Sequence, residues 1–163
     1  MKKKILIALL IILVGIQFIR IDTTTNEMDP NQDFLALTNA PKEVSDLMHN
    51  ACYDCHSNET KYPWYSQIAP ISWWVGHHID EGKHHLNFSE WGSYEPKRAD
   101  HKLEECVEEV EHGEMPMDSY TWMHSDAKLS DEEKEMLMAF FQSLRTGESE
   151  EHEHEEHEEH HED

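Results

Sequence analysis

The sequence predicts an all-α protein. Three observations carry that prediction. Apolar residues recur at i, i+3, i+4 and i+7 in several segments, which is the spacing of one helix face. Ser130 precedes Glu133 by three residues at the head of an apolar-periodic run, a reciprocal helix-capping pattern. No segment shows the period-two alternation of a half-buried strand, and there is no internal repeat.

The first element is "MKKKILIALLIILVGIQFIR", a basic start followed by an apolar run. Ile5 to Ile19 would make about 22 Å of helix at about 1.5 Å per residue. That is short for a membrane span and long for the apolar part of a cleaved leader. No small-residue cleavage pattern follows it, so residues 1–21 read as an uncleaved signal anchor, with a cleaved signal peptide as the alternative. Lys2, Lys3 and Lys4 put its start in the cytoplasm and the rest of the chain on the periplasmic or outer side of the membrane. The localisation that follows is a single pass in the cytoplasmic membrane, or a soluble periplasmic protein if the segment is cleaved.

Residues 22–40 read as a linker and 41–147 as one domain. Pro41 opens a helix that runs to the pair Cys52 and Cys55, with Val44, Leu47, Met48 and Ala51 on one face. A second helix is expected over Ile71–His85 and a third over Lys97–Glu111, the latter with Leu103, Cys106, Val107 and Val110 as its stripe. The last starts at Ser130, presents Leu137, Phe140, Phe141 and Leu144, and stops by Gly147. Residues 148–163 hold ten acids, five histidines and no base, so they are expected to be disordered. Their His152, His154, His157, His160 and His161 could bind a divalent cation weakly.

The formal net charge is −22, which excludes nucleic acid as a partner because phosphate would be repelled. An acidic surface of this kind suits a transient partner with a basic surface.

The chemistry is concentrated in "CYDCH", residues 52–56. A dithiol redox pair belongs in a strand–helix–strand setting that is missing here. A zinc site wants a second ligand pair at close spacing, and Cys106 stands alone, although a zinc or nickel module using the tail histidines can be written. Covalent haem fits each feature. Two thiols at this spacing match the two vinyl groups, and the following His56 is placed to hold the iron. Met115, between Gly113 and Pro116, is the candidate distal ligand, with Met117 as its rival and a histidine as a further option. Trp73 and Trp74 supply bulk for a core or a cofactor wall.

Three blocks carry a resemblance: "CYDCHSNET" with "YPWYSQIAPISWWV", then "LNFSEW", then "GEMPMDSYTWMHSDAKLSDEEKEMLMAFF". In this order they resemble the small haem-binding domain family of c-type cytochrome-like bacterial proteins. The resemblance spans about residues 30–146. It implies a cytochrome c-like helical fold around one covalent haem c, thioethers at Cys52 and Cys55, His56 as proximal ligand and Met115 as distal ligand, with Trp64, Trp73, Trp74 and Tyr120 lining the haem. Cys106 and the acidic, histidine-rich tail look like additions to the pattern. The expected function is a membrane-anchored monohaem carrier of single electrons rather than an enzyme. A haem-based sensor or small peroxidase with a labile sixth ligand is the first alternative, and the zinc or nickel module is the second.

Overall fold

In a computed structural model, residues 1–147 are described, and all regular structure among them is helical. Helix α1 spans Lys2–Ile16 and buries no residue. Among the described residues, no helix is long and apolar enough to cross a membrane.

The stretch read as a linker contains part of the core. Asp33 caps α2 (Phe34–Thr38), its carboxylate accepting from the Ala36 N–H at 3.2 Å, and Asn39 ends the helix in the left-handed region at φ 50°. Phe34 is fully buried. It meets Trp91 edge-on at 4.7 Å and also packs on Phe88, Phe140 and Phe141. The folded part of the chain therefore begins before Pro41. Phe34→Ala should destabilise the protein by about 3–5 kcal/mol, because it removes a large ring from an aromatic cluster that cannot close over the gap. Urea unfolding followed by helical circular dichroism measures it.

Helix α3 covers Lys42–Ala51 and α4 covers Tyr53–His56. The sequence suggests one helix here, but Cys52 breaks it at φ −124°, ψ −45°. Helix α5 (Ile71–His85) has the bounds its pattern predicts. Helix α6 (Pro96–His112) begins with Pro in its first turn and ends at Gly113, φ 75°. A short α7 (Asp118–Thr121) follows. Helix α8 (Asp131–Leu144) has the predicted reciprocal cap: Ser130 Oγ accepts from the Glu133 N–H at 3.3 Å, and the Glu133 carboxylate accepts from the Ser130 N–H at 2.7 Å. It stops at Leu144, since Arg145 is already extended, and Gly147 turns the chain at φ 78°. Short 3-10 helices occupy Trp64–Gln67, Phe88–Ser93 and Ser125–Ala127.

Helices α6 and α8 lie along each other, and α3 packs on α8. Val44 and Met48 share one core with Leu103, Val107, Leu137 and Phe141, with Leu47, Cys106, Phe140 and Leu144 at its margin. Buried Asp100 on α6 accepts from the backbone N–H of Gly147 at 3.1 Å and from that of Thr146, so the chain after α8 is fastened to α6. This bundle is the scaffold from which α4 and α5 project the site.

Candidate functional site

The cysteine motif is held by the residue inside it. Tyr53 is buried, stacks on Phe88 at 5.5 Å and on His49 at 4.6 Å, and donates its hydroxyl to Asp33 at 3.0 Å. Ser57 Oγ, just after the motif, donates back to the Tyr53 carbonyl at 2.7 Å. Asn58 then ties this exit to the turn at 87–89, its N–H donating to Ser89 Oγ at 3.0 Å and its amide oxygen accepting from Asn87 at 3.1 Å. Helix α5 lies directly on the motif through Gly82. A Cβ there would stand 2.8 Å from the Cys55 carbonyl oxygen, so only glycine allows this approach.

His56 Nδ1 is 3.1 Å from the Leu86 carbonyl. A carbonyl only accepts, so Nδ1 carries the proton and Nε2 keeps its lone pair. Burial pushes His56 below the ordinary imidazole value, against the opposing pull of the Leu86 and Gly82 carbonyls. Burial also pushes the thiols up, Cys52 to about 12 and Cys55 to about 11, with the neighbouring Cys55 and Asp54 charges adding respectively. Both sulfurs are therefore protonated at neutral pH.

Beside the motif lies a cavity of about 270 Å³. Asp54 and Cys55 contribute from α4, and Ile71, Trp74, Val75, His78 and Ile79 from α5. Pro63 to Tyr65 close one side and Met117, Ser119, Tyr120 and Met123 the other. The lining is overwhelmingly apolar, and Trp64, Ile71, Trp74 and Met123 expose large apolar surfaces around it. Two hydrogen bonds link the walls. Tyr120 donates to Asp54 at 2.8 Å, and Tyr65 is 2.7 Å from His124 Nε2, with the Tyr120 and His124 rings stacked at 4.2 Å. Burial, and then the Asp54 carboxylate, raise Tyr120 well above the usual phenol value, so it stays a donor.

Of the residues singled out from sequence, Cys55, Trp74, Tyr120 and Met117 line this cavity, as does Trp64. Cys52 is half-buried against the bundle core, and His56 sits edge-on to Phe88 at 6.3 Å. Trp73 is not in the lining. Adjacent residues of a helix point about 100° apart, and Trp73 turns away to donate its indole N–H to the Ile19 carbonyl at 3.0 Å. Met115 is half-buried but outside the lining, its N–H bonded to the Glu109 carbonyl at 3.1 Å in the turn that ends α6. Sequence reasoning missed Asp54, Tyr65 and Gly82, and placed His124 only among the histidines that could hold iron. Their partners lie far along the chain, so no local pattern marks them.

Among the described residues, no group of three or more His, Cys, Asp or Glu side chains is placed to hold a metal ion. The tail histidines 152, 154, 157, 160 and 161 lie outside the described residues.

Compared with known proteins, the chain matches the model of one family, described as a haem-binding domain, over residues 11–143. No curated protein and no solved structure gives a significant match. The matched region runs from within α1 to the last turn of α8 and contains the cysteine motif, the cavity and the aromatic core. The chain belongs to the haem-binding domain family.

Proposed function

We propose that this haem-binding domain holds one haem covalently and carries single electrons, in a cytochrome c-like manner. One observation carries the reading. Cys55 forms part of the wall of an apolar cleft, next in sequence to an imidazole whose Nδ1 is held by a backbone carbonyl. The donor chemistry fits the group: Cys55 stands in the lining of an apolar cleft, and Cys52 and His56 flank it in the same turn, two protonated thiols suited to vinyl groups and an imidazole whose Nε2 keeps a lone pair for iron.

Haem, when bound, supplies an iron couple that takes up or gives up one electron. Cys52 and Cys55 would hold it as thioethers, with His56 Nε2 available to the iron. The His56–Leu86 hydrogen bond fixes the ring orientation and makes the ligating nitrogen more basic. Trp64, Trp74, Val75 and Ile79 exclude water from the cleft. The Tyr120–Asp54 bond keeps the Met117–Met123 wall closed on the cysteine turn. A thioether from that region would be the second protein group to hold the iron, Met115 by its Gly-x-Met-Pro setting or Met117 by its place in the lining. The apolar stretch from Ile5 to Ile19 would anchor the domain on the outer side of the cytoplasmic membrane. The acidic surface would meet a redox partner of basic surface in a salt-sensitive encounter.

The protein matured with a c-type haem attachment system should gain the mass of one haem that persists under denaturing conditions. A colourless product, or haem extracted by acidified acetone, overturns the reading. Met115→Ala and Met117→Ala then identify the second ligand. The variant that lacks the ligand loses the weak sulfur-to-iron absorption of the oxidised protein and has a lower reduction potential, while the other keeps both.

A further inference from the structure

Residues 17–21 are not a free tether. Gln17 pairs with the backbone of Ala69 in both directions, its amide nitrogen donating to the carbonyl at 2.9 Å and its amide oxygen accepting from the N–H at 3.0 Å. Arg20 donates to the Gln67 carbonyl at 2.9 Å, and the Ile19 carbonyl accepts from Trp73 at 3.0 Å. Ile21 fills the space over Gly76, where a Cβ would come within 3.0 Å of its Cγ2. The family match starts at residue 11, so this seam lies inside the matched domain. Helix α1 therefore leaves the domain from a fixed point beside the turn at 67–70.

The length of α1 then constrains the domain. Its 15 residues make about 22 Å of helix, whereas a bilayer's hydrocarbon core is about 30 Å thick. The domain is fastened at Gln17, directly after the helix, so no slack remains to hold it off the surface. A shortfall of this kind is met by thinning of the bilayer or by bringing flanking apolar and aromatic groups into its interface. The surface around the exit point supplies such groups. Phe18 is 84 %, Ile19 60 %, Ile68 42 % and Ile71 48 % exposed, with Trp64, 72 % exposed, near them on the preceding turn. Segments 17–21 and 67–74 contain no acid in a chain of net charge −22, and their one charged side chain is Arg20. Trp beside an apolar span, with a cation among apolar residues, is the composition that settles at a lipid headgroup layer.

The geometry points to a lipid-facing foot on this domain: the rim of Phe18, Ile19, Ile68 and Ile71, with Trp64 at its edge, rests in the interfacial layer of the bilayer that receives α1. This inference rests on the anchoring proposed above. Trp64 and Ile71 also line the cavity, so Phe18, Ile19 and Ile68 are the diagnostic positions.

The test uses the full, haem-loaded chain in phosphatidylcholine vesicles whose acyl chains carry a carbene-forming photolabel near the glycerol end. Adducts are mapped by residue. Ile68 should be labelled about ten times more than Met136, an exposed apolar residue of α8, in keeping with the preference of an aliphatic side chain for lipid over water. Labelling of α1 together with Ile68 supports the foot. Labelling of α1 with Ile68 at the Met136 level overturns the foot and leaves the anchor standing. An unlabelled α1 overturns both.

Discussion

Changing both Cys52 and Cys55 to Ala should take haem that survives denaturation from one per chain to none. The two thiols are held neutral by burial, Cys52 at about 12 and Cys55 at about 11, and a neutral sulfhydryl can give a thioether without first releasing a bound metal ion. Each single variant should retain one thioether. With one vinyl group still conjugated to the ring, the reduced-haem absorption in alkaline pyridine should move to longer wavelength. Cys106→Ala is the control. Its sulfur packs at the margin of the bundle core on α6, and burial pushes it up as well, so its loss should leave haem content unchanged. Denaturing gel electrophoresis stained for haem, with intact mass, reads every arm. Pigment retained by the denatured double variant would show that these sulfurs do not bear the cofactor.

Gly82→Val should be the most disruptive change in α5. The new Cβ would meet the Cys55 carbonyl oxygen at 2.8 Å and the Cys55 Cβ at 3.4 Å. The first of these is a backbone atom inside a turn held on both sides, so α5 itself must move. Overpacking of this kind costs about 1–3 kcal/mol, which outweighs the gain of about 0.5–1 kcal/mol from removing a helical glycine. Gly82→Ala should therefore also destabilise, and Val, with two further methyl groups, should do so more strongly. Two measurements check this: the urea midpoint, and the fraction of chains carrying haem through both sulfurs. The second should fall because α5, pushed away from the Cys55 carbonyl, no longer seats the cysteine turn. Gly92→Ala is the comparison. Its added carbon would come within 2.6 Å of the Gln32 side-chain oxygen, a group that can swing aside, so its cost should be small. Equal losses from Gly82→Ala and Gly92→Ala would refute the account.

The sequence made the long helices legible because each had to bury a stripe. The pattern over about Ile71–His85 coincides with α5, and the Ser130–Glu133 cap is visible because its two members are three apart. The CxxCH spacing is visible for the same reason: its members are neighbours in the sequence. What escaped was set by tertiary contact. Five residues from Phe34 are too few to show a period, yet Phe34 is the hub of the aromatic cluster. Cys52 interrupts a segment whose pattern is continuous, because Tyr53 must turn inward to reach Asp33. Trp73 and Trp74 are equivalent in composition, yet only Trp74 faces the cleft, while Trp73 bonds the Ile19 carbonyl. Residues 17–21 read as the end of an apolar run, and their bonds to the 67–73 region depend on groups about 50 positions away. The Asp54–Tyr120 link spans 66 positions, so nothing in the neighbourhood of either residue announces it.

Tyr53 stands between the two cysteines, and its hydroxyl ends on Asp33. The smallest fragment that still presents the sulfurs correctly must therefore start upstream of residue 33. A polypeptide trimmed to begin at Pro41 would keep every residue of the motif and the cleft, and the helices from α3 to α8. It would nonetheless leave a phenol facing a gap and four aromatic rings without their neighbour, and it should be produced as a poorly folded, unpigmented chain.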